Sequence, residues 1–405
     1  LGERVNGGRY SIVSYGMHQP TPQSTSLLVD YLFSIAILKG ASDIHIEWYE
    51  YDVGVRLRID GVLRDGVSLA HWQALQVISR LKVLMGLDIT QQNRPQDGAV
   101  RIVHEGQSID IRASFFPSLY GEKVVLRLLG SHYDTMQLHA LPFSGKILAA
   151  LYAVAREAQG LFLVTGPTGA GKTTTLYAVL QAVDRARKNV VTLEDPIEYR
   201  IQHVTQTQID ESKSLCFATA IRSILRQDPD VVLIGELRDA DTLKSAIEAA
   251  LTGHLVVSTL HTGRASAVPI RLREMGIEPY LIASALKGVL AQRLLSTLCG
   301  HCKILVPVSE AESAWVRFHG STLTHTGSTA GCVSCQFTGY EGQIVIGELW
   351  QCDSAAIELL YNESSTQQDF QQCAEANGMN SLAKQGLELV RAGRIALADL
   401  MCHDM

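Results

Sequence analysis

Residues 161–175 read LFLVTGPTGAGKTTT: an apolar run, a turn with three glycines, then a threonine-rich helix start. Gly166, Pro167, Thr168, Gly169, Ala170, Gly171, Lys172 and Thr173, with Thr174 behind them, fit the spacing G-x-x-x-x-G-K-[ST]. In that pattern successive backbone N–H groups and a helix N-terminus converge on phosphate oxygens. The glycines allow the tight turn and the close approach of main chain to ligand. Lys172 is expected to reach the β- and γ-phosphates, and the Thr173 hydroxyl to complete the shell of a magnesium ion. A glycine-rich strand-to-helix turn that binds nothing is the alternative. The apolar strand before the turn and the helix signal after it favour a nucleotide site.

With 405 residues the chain can hold two or three domains and a sizeable core. Its formal net charge is −6, with lysine and arginine spread along the length, so no nucleic-acid partner is expected. The best membrane candidate, Leu27 to Leu38, is short and interrupted by Asp30, so any membrane role is expected to be peripheral. The sequence starts at Leu1 and shows no charged-then-apolar leader, and an upstream domain is expected to be missing. Four of the eight cysteines form two C-x-x-C pairs, which points to a metal in a reducing compartment rather than to a disulfide scaffold.

Residues 1–26, rich in Gly, Ser and Pro, read as a linker. Residues 27–134 read as a small α+β domain. A helical spacing from Leu27 to Lys39 is followed by strand patterns around an Asp60-Gly61 hairpin signal, a helix over His71 to Met85, and further strands in SIDIRASFF and KVVLRLL. Arg56 and Arg58, two apart on an alternating strand, share a face. An interdomain joint is placed at 135–145. From 146 to 405 the runs LFLVT, VVTLED, VVLIGE and LVVSTLH alternate with helical segments. That alternation predicts an α/β domain with a buried parallel sheet covered on both faces, whose ligand lies beyond the carboxyl ends of the strands. A cysteine module spans 297–340, and C-terminal helices span 355–405.

Phosphoanhydride hydrolysis needs magnesium coordination, a carboxylate for the attacking water, positive charge for the transition state and a group that senses the γ-phosphate. Glu236 follows the apolar run VVLIG, where a metal-associated acid is expected, and Glu194 and Asp195 end the neighbouring strand. Glu194 is the preferred base, with Glu236 the alternative; strand-end acids also serve as helix caps. His261, at the carboxyl end of its strand, is a better candidate than His254 at the other end. Cys299, Cys302, Cys332 and Cys335 fit a closed four-thiolate zinc site with no catalytic role.

These strings resemble one family, the ATPases of type II secretion and type IV pilus systems. The likeness is carried by GPTGAGKTTTLY, VVTLEDPIEY, IRSILRQDPDVVLIGELRDADT and GHLVVSTLHT, with ASDIHIE, RLRIDGVL, RPQDGAV and GEKVVLRLL upstream and AQRLL and the paired cysteines downstream. The resemblance implies a RecA-like domain with Walker A at Gly166–Thr173, an acidic box at Glu194–Glu198, Walker B at Leu233–Asp239 and a histidine box from His254 to His261. It implies ATP and Mg2+ as ligands, with Glu236 associated with magnesium and Glu194 serving the water. It also implies a homo-hexameric ring, cytoplasmic and peripheral at a bacterial inner membrane, working with a membrane-platform protein. In such a ring the N-terminal domain contributes arginines, here Arg112 and Arg127, with Arg56 and Arg58 weaker. The paired cysteines resemble the assembly rather than the retraction members. Departures include Trp48 after SDIHIE, Ala170 in the cradle, Gly263-Arg264 after TLHT, and Ser296. The function implied is an ATP-driven motor for assembly of a secretion pseudopilus or pilus. A conjugation-type DNA-transfer ATPase and a nucleotide-dependent regulatory switch remain the rivals.

Overall fold

A computed structural model describes residues 4–5, 9–11, 24–129, 137–210 and 215–402. The chain divides into two compact units, residues 1–134 and 135–405. Within the expected linker, β1 (Arg4–Val5) and β2 (Arg9–Ser11) are strands, and β2 runs parallel to a strand of the first sheet. The remainder of 1–23 lies outside the described residues.

In the first unit α1 (Thr25–Leu38) leads to β3 (Asp43–Trp48), β4 (Val53–Ile59) and β5 (Val62–Leu69), then α2 (His71–Met85), β6 (Gln96–His104), β7 (Gln107–Pro117) and β8 (Glu122–Leu129). Among the described residues the strands form one sheet ordered β1-β2-β6-β7-β8-β3-β4-β5. At the hairpin Asp60 and Gly61 have φ of 51° and 80°, the left-handed pair that a two-residue turn between twisted strands requires. Strand β4 alternates buried and half-buried residues. Its Val55 and Leu57 join Ile44, Ile46, Ile111 and Phe115 under Phe33 and Leu81 of the two helices. Burying one face in this way leaves the arginines on the other.

The second unit begins with a helical turn at Leu138–Ala140 and α3 (Gly145–Arg156). Residues 135 and 136 of the expected joint lie outside the described residues. Leu138, Leu141 and Phe143 are buried against α3 and the sheet, so this part of the joint is anchored rather than free. Strands and helices then alternate: β9 (Gly160–Thr165), α4 (Lys172–Ala182), β10 (Val190–Glu194), β11 (Thr205–Gln208), α5 (Phe217–Ile224), β12 (Val231–Ile234), α6 (Ala240–Leu251) and β13 (Leu255–Leu260). After α7 (Val268–Glu274) and α8 (Pro279–Ala285) the long β14 (Leu286–Leu298) returns to the sheet. The cysteine module holds β15 (Lys303–Pro307), α9 (Glu310–Phe318) and β16 (His325–Thr329), and β17 (Tyr340–Gln351) closes the sheet antiparallel to β14. Among the described residues four helices follow: α10 (Ser354–Tyr361), α11 (Gln367–Ala376), α12 (Leu382–Arg391) and α13 (Leu397–Met401).

Strand order in this unit is β11-β10-β12-β13-β9-β14-β17, parallel from β11 to β14. Strands β9, β10, β12 and β13 are buried throughout, as expected where helices cover both faces. Pairing of Leu260 with Thr165, Ser258 with Ile234, and Ile234 with Leu193 brings the carboxyl ends to one edge. This edge carries the site. Among the described residues no helix is long and apolar enough to cross a membrane.

Candidate functional site

Strand β9 runs into the glycine turn at the middle of this edge. Gly166 has φ of 149°, and a Cβ there would meet the carbonyl oxygen of Gln292 at 2.5 Å, so no other residue fits without moving β14. Gly171, at φ of 83°, is the N-cap of α4. Pro167, Thr168 and Gly169 are exposed while Ala170 is buried. Gln292 holds the turn from below: its Nε2 donates to the Ala170 carbonyl at 2.5 Å, and its Oε1 accepts from the Thr175 hydroxyl at 2.9 Å. Lys172 lies across the turn, its ammonium donating to the carbonyls of Gly166 at 2.8 Å and Pro167 at 2.9 Å. Burial lowers its pKa, Glu236 opposes that shift, and Arg293 adds to it. A phosphate would supply the anionic partner that carbonyls replace only in part.

Thr173, Tyr177, Glu194, Asp195, Glu236 and His261 line one cleft beside the turn. Glu194, the last residue of β10, is 3% exposed. Its Oε1 accepts from the Thr192 hydroxyl at 2.5 Å and Gln206 Nε2 at 3.2 Å, and its Oε2 accepts from the Tyr177 hydroxyl. Burial raises its pKa, and the hydrogen bonds from Thr192, Tyr177 and Gln206 work the other way. This combination suits a base, whose position is held while desolvation keeps it from ionising too readily. Glu236, just past β12, pairs with Arg238, and its Oε2 lies 3.6 Å from His261 Nε2. Arg238 also reaches Asp195 at 4.0 Å. Carboxylates from two strand ends and a histidine from a third therefore share the cleft that Thr173 opens into. The hydroxyl of Thr173 and the carboxylate of Glu236 are oxygen donors of the kind magnesium takes, so the residues present fit that ion.

His254 lies elsewhere. It precedes β13, with Nδ1 2.9 Å from the carbonyl of Ala249, and six strand residues at about 3.3 Å each separate it from His261. The two ends of the implied histidine box are thus at opposite edges of the sheet. Tyr177, Thr192, Arg238 and Gln292 all lie inside the strings quoted above, which do not say what each touches, and Gln206 lies outside them. The bonds of Tyr177, Gln206 and Gln292 reach residues distant in sequence, whereas Thr192 and Arg238 bond carboxylates two positions away.

In the first unit Arg58, Asp43, Arg127 and Arg112 are cross-strand neighbours in one row. Asp43 is 4% exposed and sits between Arg127 at 3.0 Å and Arg58 at 3.9 Å. One row below, Arg56 pairs with Glu47 at 2.6 Å, and Lys123 meets the same carboxylate at 2.8 Å. Arg127 remains 64% exposed. The face is a built array of arginines rather than a loosely solvated strand.

The sulfur atoms of Cys299, Cys302, Cys332 and Cys335 all lie within 4.8 Å of one another. Contacts of 3.9, 3.7 and 3.7 Å link Cys299 with Cys332, Cys302 with Cys335, and Cys332 with Cys335. A tetrahedral zinc with Zn–S bonds of about 2.3 Å requires edges of about 3.8 Å, so the four thiols fit that ion. Backbone N–H groups of Cys332 and Gly339 point at Cys335 Sγ, each at 3.2 Å.

A glycine cradle at the carboxyl edge of a parallel sheet, with acids at the ends of two further strands of the same edge, defines a P-loop protein of the RecA-like ATPase class. The chain belongs to the family described as Type II/IV secretion system protein, which it matches over residues 21–402. It is 41% identical over 374 residues to the type II secretion system ATPase E of Vibrio cholerae, covering 92% of this chain and 74% of that one. It is 40% identical over 374 residues to the type II secretion system protein HxcR of Pseudomonas aeruginosa, covering 92% and 76%. Among solved structures, the pilus retraction motor PilT with bound ADP matches with a TM-score of 0.63 at 25% identity, over 92% of this chain and 95% of that one.

Proposed function

We propose that the chain is an ATP-hydrolysing motor subunit that powers assembly of a type II secretion pseudopilus or type IV pilus. The reading rests on one observation above all: Glu194, Glu236 and His261 converge on the cleft beside the Lys172 cradle. The cradle amides and Lys172 bind and orient the phosphates. Thr173 and Glu236 would hold magnesium, which supplies charge neutralisation at the bridging and terminal oxygens. Glu194 accepts the proton of the attacking water, and His261, beside Glu236, responds to whether the terminal phosphate is in place. The cluster at Cys299, Cys302, Cys332 and Cys335 would hold zinc as a closed structural site.

Transition-state charge calls for further cations, and the row containing Arg112 and Arg127 is their proposed source, supplied by the N-terminal unit within a homo-hexamer. The ring would act from the cytoplasmic side of the inner membrane on a platform protein, with nucleic acid not expected as a partner. Higher identity to secretion ATPases than to the retraction motor supports the assembly direction. The deciding experiment compares Glu194→Gln with Lys172→Ala. Glu194→Gln is expected to bind ATP and trap it unhydrolysed, with turnover at least about 100-fold down, while Lys172→Ala loses binding. Parental turnover by Glu194→Gln would transfer the role of base to Glu236. Stimulation by single-stranded DNA that falls steeply with salt would favour a DNA-transfer ATPase instead.

A further inference from the structure

The carboxylate of Glu348 has no part in the chemistry above, yet it is 2% exposed and hydrogen-bonded on both oxygens. It lies on β17 opposite Ala291 of β14. Oε1 accepts from the backbone N–H of Ala265 at 2.8 Å, and Oε2 from that of Leu382 at 3.3 Å. Ala265 opens the helical turn that closes the loop behind His261, whereas Leu382 is the first residue of α12. On its buried side α12 packs Leu382, Leu387 and Val390 with Val316 of α9, inside the cysteine module. One carboxylate therefore caps two helix starts, one beside the nucleotide cleft and one, α12, in the lobe that this helix forms with the proposed zinc-binding module.

The same loop is held at two further points. Thr165, the end of β9, accepts the N–H of Thr262 on its hydroxyl at 2.8 Å. Arg293 of β14, 5% exposed, donates Nη2 to the Gly263 carbonyl at 2.6 Å and Nη1 to the carbonyl of Gln292 at 3.0 Å. Its guanidinium also lies under the cradle, 3.4 Å from where a Cβ on Gly166 would be. Carbonyls satisfy these donors without neutralising them; burial lowers the pKa of Arg293 and raises that of Glu348, and the charge of each works against that shift in the other. Loop 262–265 is thus pinned by the end of β9 and by side chains from within β14 and β17, and the β17 pin also carries α12.

We propose that Glu348 is a positioning residue that couples the zinc-binding lobe to hydrolysis. By capping Ala265 and Leu382 together and offsetting Arg293, it fixes the loop that aims His261 at Glu236, so the seat of α12 and the occupancy of the cradle bias one another. The inference rests on the ATPase reading above.

Hydrogen exchange of the parental chain with and without magnesium and a non-hydrolysable ATP analogue tests it, together with the kinetics of Glu348→Gln. In the parent, the analogue is expected to slow exchange both at 166–175 and at 379–386. In Glu348→Gln protection at 166–175 stays and protection at 379–386 is lost, while kcat falls about tenfold and KM for ATP changes by less than about threefold. A purely structural role would lower stability without separating the two segments or splitting kcat from KM. Parental protection at 166–175 without any at 379–386 overturns the coupling, as does a Glu348→Gln variant with parental kcat and both protections. If that variant does not fold, the parental exchange decides alone. Absence of protection at 166–175 in the parent overturns the nucleotide reading, and the coupling falls with it.

Discussion

Tyr177, on α4 just behind the cradle, donates its hydroxyl hydrogen to the buried carboxylate of Glu194. The helix that begins at the cradle thereby reaches the proposed base at the end of β10, three strands along the sheet. Tyr177 is itself fully buried, edge-on to Tyr199 at 4.5 Å. A charge-assisted hydrogen bond is worth about 1.5–3 kcal/mol, or roughly one to two pH units at the acceptor. Tyr177→Phe should therefore move the acid limb of the kcat–pH profile to higher pH, with KM for ATP little changed. An unmoved acid limb would remove Tyr177 from control of the base.

Burial, against the hydrogen bonds from Thr192, Tyr177 and Gln206, leaves Glu194 with a pKa above its ordinary 4.5. Turnover should therefore rise with pH through that raised value. Stability runs the other way: between the ordinary and raised values the folded chain holds more protons than the unfolded one, so stability falls as pH climbs through this window. Glu194→Gln removes the ionisation. Its melting temperature should exceed the parent's above the window, by about 2–4 °C per kcal/mol recovered, and the difference should vanish below pH 4. Thermal melts from pH 4 to 8 check this.

For the arginine row, Arg127→Ala should lower steady-state turnover about 1,000-fold and leave nucleotide binding by isolated subunits within about twofold. Mixing Arg127→Ala subunits with Lys172→Ala subunits should restore part of the activity, since each supplies what the other lacks. Failure of the mixture to exceed either variant alone would argue against arginines supplied in trans. Asp43 holds Arg127 at 3.0 Å, so Asp43→Asn should weaken turnover in the same direction to a smaller degree.

Metal analysis of purified chain is expected to find one zinc per subunit, lost in Cys335→Ser. Because Cys299 and Cys335 are buried in the module and β15 pairs only with β16 among the described residues, metal loss should open residues 303–331 to protease first. Chelation should leave nucleotide binding at the cradle in place. A full zinc complement in Cys335→Ser would dismiss the four-thiolate assignment.

The cradle was legible because its chemistry is contiguous: Gly166, Gly171, Lys172 and Thr173 act within one strand–turn–helix, and spacing alone states their geometry. Burial patterns likewise announced the parallel strands, since β9, β10, β12 and β13 are apolar runs ending in polar residues. The four cysteines were legible for the same local reason, two ligands per short turn. What each acid does was not. Glu194 and Glu236 look alike in sequence, and the three donors on one and the Arg238–His261 environment of the other distinguish them.

Two of those three donors come from positions 17 residues before Glu194 and 12 after it. The two bonds of Glu348 reach across 83 and 34 residues. Hydrogen bonds and buried charges depend on distances of a few ångströms that only the packed sheet creates. The sequence by itself determined the cradle, the parallel core and the paired cysteines, because local spacing and periodicity encode them. Tertiary structure decided that Glu194 is the buried, triply hydrogen-bonded carboxylate, that His254 lies at the far end of its strand from the cleft, and that Glu348 joins two helix starts, because strands distant in sequence meet there.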